Sequence, residues 1–150
     1  MNLDQLRVEL AEDEGCRFDI YLDHLGLPTV GIGHLIQEDD PEHGLPIGTN
    51  VSEERVHALF RRDVAVTIED CHRLYGDFSD LPEEVQLVIA NMCFNLGYPR
   101  LSKFKGMKAG VDARDWNKAA DEMVDSKWYD QVPNRAKRLV SRLREHEASN

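Results

Sequence analysis

The hydrophobic period of this 150-residue chain changes once, and that change limits the folds open to it. Leu3, Leu6 and Leu10 recur at helical spacing, so residues 3–13 predict an amphipathic helix that Gly15 ends. Phe18, Ile20 and Leu22 then alternate with other residues, a strand signal over Cys16–Asp23. His24-Leu25-Gly26-Leu27-Pro28 supplies turn residues, and Thr29–His34 reads as a returning strand. Residues 37–50 are rich in acid, Pro and Gly and read as a loop.

From about residue 51 the period is helical to the end. Ser52 is a plausible N-cap, and Val56, Leu59, Phe60, Val64, Ile68 and Cys71 form one apolar face. A helix of about twenty residues spans ~30 Å, enough to join two lobes. Pro82 predicts the start of a second helix that runs to Gly97. Shorter helices follow around 102–109, 113–125 and 133–145, with Trp116, Trp128, Leu139, Val140 and Leu143 as core. The predicted fold class is α+β and mostly helical, in a single domain over 1–150. A small N-terminal hairpin or sheet lobe covers about 13–50 and a connecting helix 51–72. An all-helical lobe covers 73–150 and takes in helix 3–13.

Hydrophobic residues make up 41% and charged residues 31%, which suits one buried core and argues against disorder. The net charge is −10, the wrong sign for a general binder of nucleic acid. That charge is uneven: −10 over residues 1–60, −3 over 61–100 and +3 over 101–150. An acidic front and a basic tail attract each other if they face across a cleft. No apolar run reaches ~18 residues, and the first residues lack the basic and apolar regions of a signal peptide. Cys16, Cys71 and Cys93 cannot all pair, and each sits in an apolar context, so all three read as reduced core residues.

Three residues stand where chemistry could occur. Glu14 lies at the C-terminal end of the first helix, where the macrodipole favours a protonated carboxyl suited to a general acid. A solvated surface acid is the plainer alternative, since Glu12 and Asp13 flank it. Asp23 enters the hairpin turn, where such a residue ordinarily bonds nearby N–H groups. Thr29 opens the return strand and can lie close to Asp23.

In order, these residues belong to a longer pattern: Asp13-Glu14-Gly15, then Ile20-Tyr21-x-Asp23, then Thr29-Val30-Gly31-Ile32-Gly33-His34-Leu35. A second block is Asn91-Met92-x-Phe94-Asn95-x-Gly97. A third is Ser126-Lys127-Trp128-Tyr129-x-Gln131-x-Pro133-Asn134-Arg135-Ala136-Lys137-Arg138. Together they resemble the phage-type lysozymes, glycoside hydrolase family 24, from about residue 3 to 145. The resemblance implies a lysozyme-like fold and a muramidase that cuts the β-1,4 bond between N-acetylmuramic acid and N-acetylglucosamine in peptidoglycan.

By position, the resemblance makes Glu14 the general acid, Asp23 the group that activates water or stabilises the oxocarbenium-like centre, and Thr29 a holder of that water. It implies inversion, and hence carboxyls of Glu14 and Asp23 roughly 6.5–9.5 Å apart. His34 and Asp63 match a buried ion pair, which should raise the His34 pKa. Arg135 matches an arginine that approaches the glutamate. Gly33 and Leu35 match the floor under the reacting sugar, and Asn91, Phe94 and Asn95 match cleft-lining positions. No cofactor and no metal are expected, because His34 has no further ligands at local spacing.

Two departures from the family pattern stand out. Leu25 occupies the place of a glutamate that pairs with a base, here Lys127, and the −10 charge contrasts with the cationic character of many phage lysozymes. A glycan-binding module that keeps the fold without the activity is the alternative function. A helical DNA-binding reading of the basic 133–144 stretch fails on charge. The expected partner is bacterial peptidoglycan, with no nucleic acid and no stable membrane association. A monomer is expected to wait in the host cytoplasm until a holin gives it access to the wall through the periplasm.

Overall fold

The structure, a computed structural model, describes residues 1–149; Asn150, the last residue of the expected domain, lies outside them. In chain order the elements are α1 (Leu3–Glu14), β1 (Arg17–Leu22), β2 (Pro28–Gly31), β3 (His34–Leu35) and α2 (Glu53–Leu74), then a 3₁₀ turn (Phe78–Asp80). They continue as α3 (Glu83–Leu96), α4 (Tyr98–Leu101), α5 (Lys105–Asp112), α6 (Trp116–Val124), α7 (Lys127–Gln131) and α8 (Pro133–Ser149). The class is α+β and mostly helical, as the change of period predicts. Two compact units divide the chain, Leu3–Val66 and Met1–Asn2 with Thr67 onward. Helix 3–13 is expected in the later lobe, whereas α1 falls in the same unit as the strands.

In the first unit α1 buries Leu6 and Leu10, the helical repeat of the sequence. Gly15 closes it in the left-handed region at φ +72°, with its N–H bonded to the Ala11 carbonyl at 2.9 Å. The sheet is antiparallel in the order β1-β2-β3. The single return strand expected over Thr29–His34 is broken in two. Gly31 at φ +69° and Gly33 at φ +65° turn the chain through Ile32, so β2 stops at Gly31 and β3 starts at His34. Tyr21 pairs with Thr29, Thr29 with Leu35, and Val30 with His34.

The far end of the 37–50 loop is more ordered than its composition suggests. Gly48 N–H bonds the Ile20 carbonyl, Ile20 N–H bonds Thr49, and Val51 N–H bonds Phe18, at 2.7, 2.9 and 2.8 Å. These bonds cover the outer edge of β1. Ser52 then caps α2 through its hydroxyl, which accepts the Arg55 N–H at 3.1 Å. Of the apolar face assigned to α2, Val56, Leu59, Phe60, Val64 and Cys71 are buried. Ile68 is only half-buried, and Thr67 beside it is buried instead.

In the second unit α3 is buried from Val85 through Cys93. Pro82 is its N-cap rather than its first helical residue, and Gly97 ends it at φ +79°. α8 packs on α3, α6 and α7, and α5 packs on α6. Trp116, Trp128, Leu139, Val140 and Leu143 all lie in the core. The short α4 and α7 are too brief to impose a helical period and are absent from the sequence reading. Cys71 and Cys93 are buried, but Cys16 is exposed, because it follows the Gly15 cap. Among the described residues no helix is long and apolar enough to cross a membrane.

Candidate active site

Glu14 is the last residue of α1, and its carboxyl lies directly on the β2–β3 turn. A Cβ added to Gly33 would stand 2.5 Å from Glu14 Oε2, so a side chain there would push the carboxyl aside. The space that Gly33 opens in the backbone is filled by Glu14 itself.

Asp23 and Thr29 are set by the hairpin between β1 and β2. Asp23 Oδ1 accepts the N–H groups of Leu25 and Leu27 at 2.8 and 2.9 Å, which fixes the plane of the carboxylate. Its Oδ2 makes no hydrogen bond among the described residues. The buried Thr29 hydroxyl donates to the Leu27 carbonyl at 2.9 Å. With its one proton so engaged, the hydroxyl can meet a water only as an acceptor.

Tyr21 lies opposite Thr29 in the register of the sheet. Burial raises its phenol above the ordinary range, and the charges of Glu14 and Asp23 add to the rise against an opposing effect of Arg17. Both carboxylates are therefore within electrostatic reach of one phenol. Arg17 stacks its guanidinium 4.5 Å from the Tyr21 ring centroid and is gripped by Asp19 at 2.8 and 3.1 Å. The alternate positions of Arg17, Asp19 and Tyr21 are the signal for this stack in the sequence.

His34, the first residue of β3, carries a carboxylate on each ring nitrogen. Nδ1 lies 2.6 Å from Asp63 Oδ2 and Nε2 lies 2.7 Å from Asp40 Oδ2. Burial alone would lower the His34 pKa, but the bonds to Asp63 and Asp40 outweigh it and the net shift is upward. Asp40 also accepts the Gln37 N–H at 2.8 Å and faces Arg62 at 3.2 Å. These bonds overcome the effect of burial and bring the Asp40 carboxyl down to about 2. Arg55 ties the neighbouring Glu42 at 2.9 Å. Nothing local marks Asp40, Glu42, Arg55 and Arg62: acids in an acid-rich loop give no sign of burial, and arginines on a helix give no sign of their partners.

The remaining predicted residues divide between the two units. Leu35 is exposed on β3, and Leu25 is 63% exposed at the hairpin tip. In the second unit Asn91 is 1% exposed, and its side-chain oxygen accepts from Arg135 Nε at 2.8 Å. Arg135 Nη2 donates to the Asn91 carbonyl at 3.3 Å. Asn95 Oδ1 accepts the Trp128 indole N–H at 2.8 Å, and Phe94 is half-buried. Asn91 and Asn95 thus each hold a neighbouring side chain. Among the described residues no three His, Cys, Asp or Glu side chains are grouped to hold a metal ion.

The phage lysozyme family model matches residues 11–147. The chain belongs to the phage lysozyme family. It is 30% identical to a probable T4-type lysozyme 2 of Dictyostelium discoideum over 91% of this chain and 91% of that protein. It is also 30% identical to the pre-baseplate central spike protein Gp5 of Enterobacteria phage T4, over 87% of this chain but 26% of that one. The peptidoglycan hydrolase gp36 of Pseudomonas phage phiKMV is 30% identical over 93% of this chain and 15% of its own length. In this member of the phage lysozyme family, one unit holds two carboxyls and a hydroxyl on the turns of one small sheet. That equipment suits acid-assisted hydrolysis: one group to give a proton, two acceptors to orient a water.

Proposed function

We propose that this chain is a muramidase that hydrolyses the β-1,4 bond between N-acetylmuramic acid and N-acetylglucosamine in peptidoglycan, with inversion. Glu14 gives its proton to the glycosidic oxygen as the bond from that oxygen to the anomeric carbon breaks. Water adds to the opposite face of that carbon, and Asp23 takes the proton it loses. Thr29 holds the same water. The observation that carries this reading is the engaged Thr29 proton. A water at that hydroxyl must donate to it, and donating its second proton to Asp23 Oδ2 leaves a lone pair for the sugar.

Asn91, Phe94, Asn95, Leu35 and Arg135 are assigned to substrate binding and support by the motifs they share with the family. The expected carboxyl separation remains roughly 6.5–9.5 Å, the spacing that leaves room for a water. The test is the anomeric form of the first product, followed by proton NMR on peptidoglycan chains. Immediate appearance of the α-anomer supports the reading, and a β-anomer with a trappable glycosyl-enzyme overturns inversion. Glu14→Gln is expected to abolish bond cleavage; retained cleavage would remove Glu14 as the acid.

For the biological setting, we infer a monomer that lyses the host after a holin lets it reach the wall. Expression with and without a membrane-permeabilising protein tests this, and lysis without one overturns it. The likeness to a baseplate spike protein favours a second setting, delivery of the same chemistry by the virion. Finding the chain in purified particles would decide for it.

A further inference from the structure

The two-residue β3 is too short to hold its own place by pairing. Its position is set by charge. Asp40 is 5% exposed, and its Oδ1 faces Arg62 Nη2 at 3.2 Å and Arg55 Nη2 at 3.6 Å. Its Oδ2 takes His34 Nε2 at 2.7 Å and the Gln37 N–H at 2.8 Å. On the other side of the ring, Asp63 takes Nδ1 at 2.6 Å. Carboxylates only accept, so both ring nitrogens donate and His34 is an imidazolium. With that proton, Asp40, Glu42 and Asp63 are balanced by His34, Arg55 and Arg62; without it the cluster holds an uncompensated negative charge.

His34 directly follows Gly33, against which the Glu14 carboxyl rests. The same turn is thus anchored on one side by the charge cluster and bears the acid on the other. We propose that Asp40 is a positioning residue for the hydrolysis: through His34 it holds the Gly31–His34 turn where the Glu14 carboxyl meets it. The inference rests on the reading of Glu14 as the acid. Asp40 itself touches none of the reacting groups. Asp63 from α2 and Asp40 from the loop meet the His34 ring, and Arg62 and Arg55 from α2 and Glu42 from the loop complete the charged cluster; Glu14, from the end of α1, lies against the neighbouring Gly33.

Neutralising Asp40 leaves the imidazolium with one carboxylate, so His34 gives up its proton at lower pH and the turn then loses its anchor. The test measures kcat and KM on soluble peptidoglycan chains from about pH 5 to about pH 9, where a singly paired histidine titrates. Circular dichroism gives the folded fraction at each pH. Asp40→Asn is expected to match the wild type within about twofold at the acid end and to lose about tenfold in kcat at the basic end, with KM little changed. Arg62→Gln, which loosens Asp40 without removing a buried carboxylate, is expected to show a smaller limb in the same direction. A profile identical to wild type in both variants overturns the inference, as does a loss that follows the folded fraction. Glu14→Gln is run beside them. If it remains active, the acid assignment fails; if it is inactive while Asp40→Asn keeps the wild-type profile, only the positioning role fails.

Discussion

Gly33 and Glu14 share one space: the point 2.5 Å from Glu14 Oε2 is where any side chain at position 33 would begin. Gly33→Ala therefore displaces the carboxyl and also places an alanine at φ +65°, a conformation that costs about 1–2 kcal/mol. The expected outcome is a loss of about 10²-fold in kcat, out of proportion to the drop in stability. Lytic rate and urea unfolding of the same preparation check it.

Asp23 combines two tasks that a substitution can separate. Asp23→Asn keeps an oxygen for the Leu25 and Leu27 N–H groups, so stability should change by less than about 1 kcal/mol. The variant no longer takes a proton from water, and activity should fall by about 10²–10⁴-fold. Asp23→Ala should lose activity equally and also about 1–2 kcal/mol of stability. Equal stability of the two variants would contradict the anchoring role of Oδ1.

In the second unit Arg135 is 8% exposed, and its guanidinium bonds Asn91. Asn91→Leu removes the side-chain acceptor of the Arg135 Nε–H. A cost of about 2–4 kcal/mol is expected in chemical denaturation. Asn91→Asp, which keeps an acceptor, should cost less.

The His34 cluster gives stability a defined pH window. The raised His34 pKa means that its contribution is complete below the unfolded value of about 6.5 and is lost as pH rises through the folded one. Asp40 works in the other direction. Its contribution is complete above the unfolded value of about 3.9 and is lost as pH falls through its folded value of about 2. Tm should therefore be highest between about pH 4 and about pH 6.5 and fall on both sides. His34→Gln should flatten the basic side of that curve.

The net charge of −10 sets a further expectation for an enzyme whose proposed substrate belongs to an anionic surface. Added salt screens the mutual repulsion, so lytic rate at low ionic strength should rise with salt. A cationic lysozyme would show the reverse. A monotonic fall from the lowest salt would contradict this.

Much of this molecule is legible in its residues because the signals are local. Gly15 and Ser52 mark helix ends by their own backbone and hydroxyl chemistry, and the α3 run from Val85 to Cys93 is apolar enough to require burial. The ordered blocks around Glu14, Asp23 and Thr29 indicate the family. What stays hidden depends on partners distant in sequence. Asp40 looks like any loop acid until His34, Arg55 and Arg62 surround it. The break between β2 and β3 needs both Gly31 and Gly33 in left-handed conformations, and alternation alone cannot reveal that. The bond between Asn91 and Arg135 joins residues far apart in the chain, and the motif around Asn91 gives no sign of it.

The bonds from residues 48–51 to β1 bear on how the protein behaves in quantity. A sheet of three short strands ordinarily offers its outer strands as templates on which a second chain can add. Here one border is already occupied by the chain itself, and the other ends in the two residues of β3. Copies crowded together find no long open row of N–H and carbonyl groups to join, so self-association through the sheet is suppressed at its source.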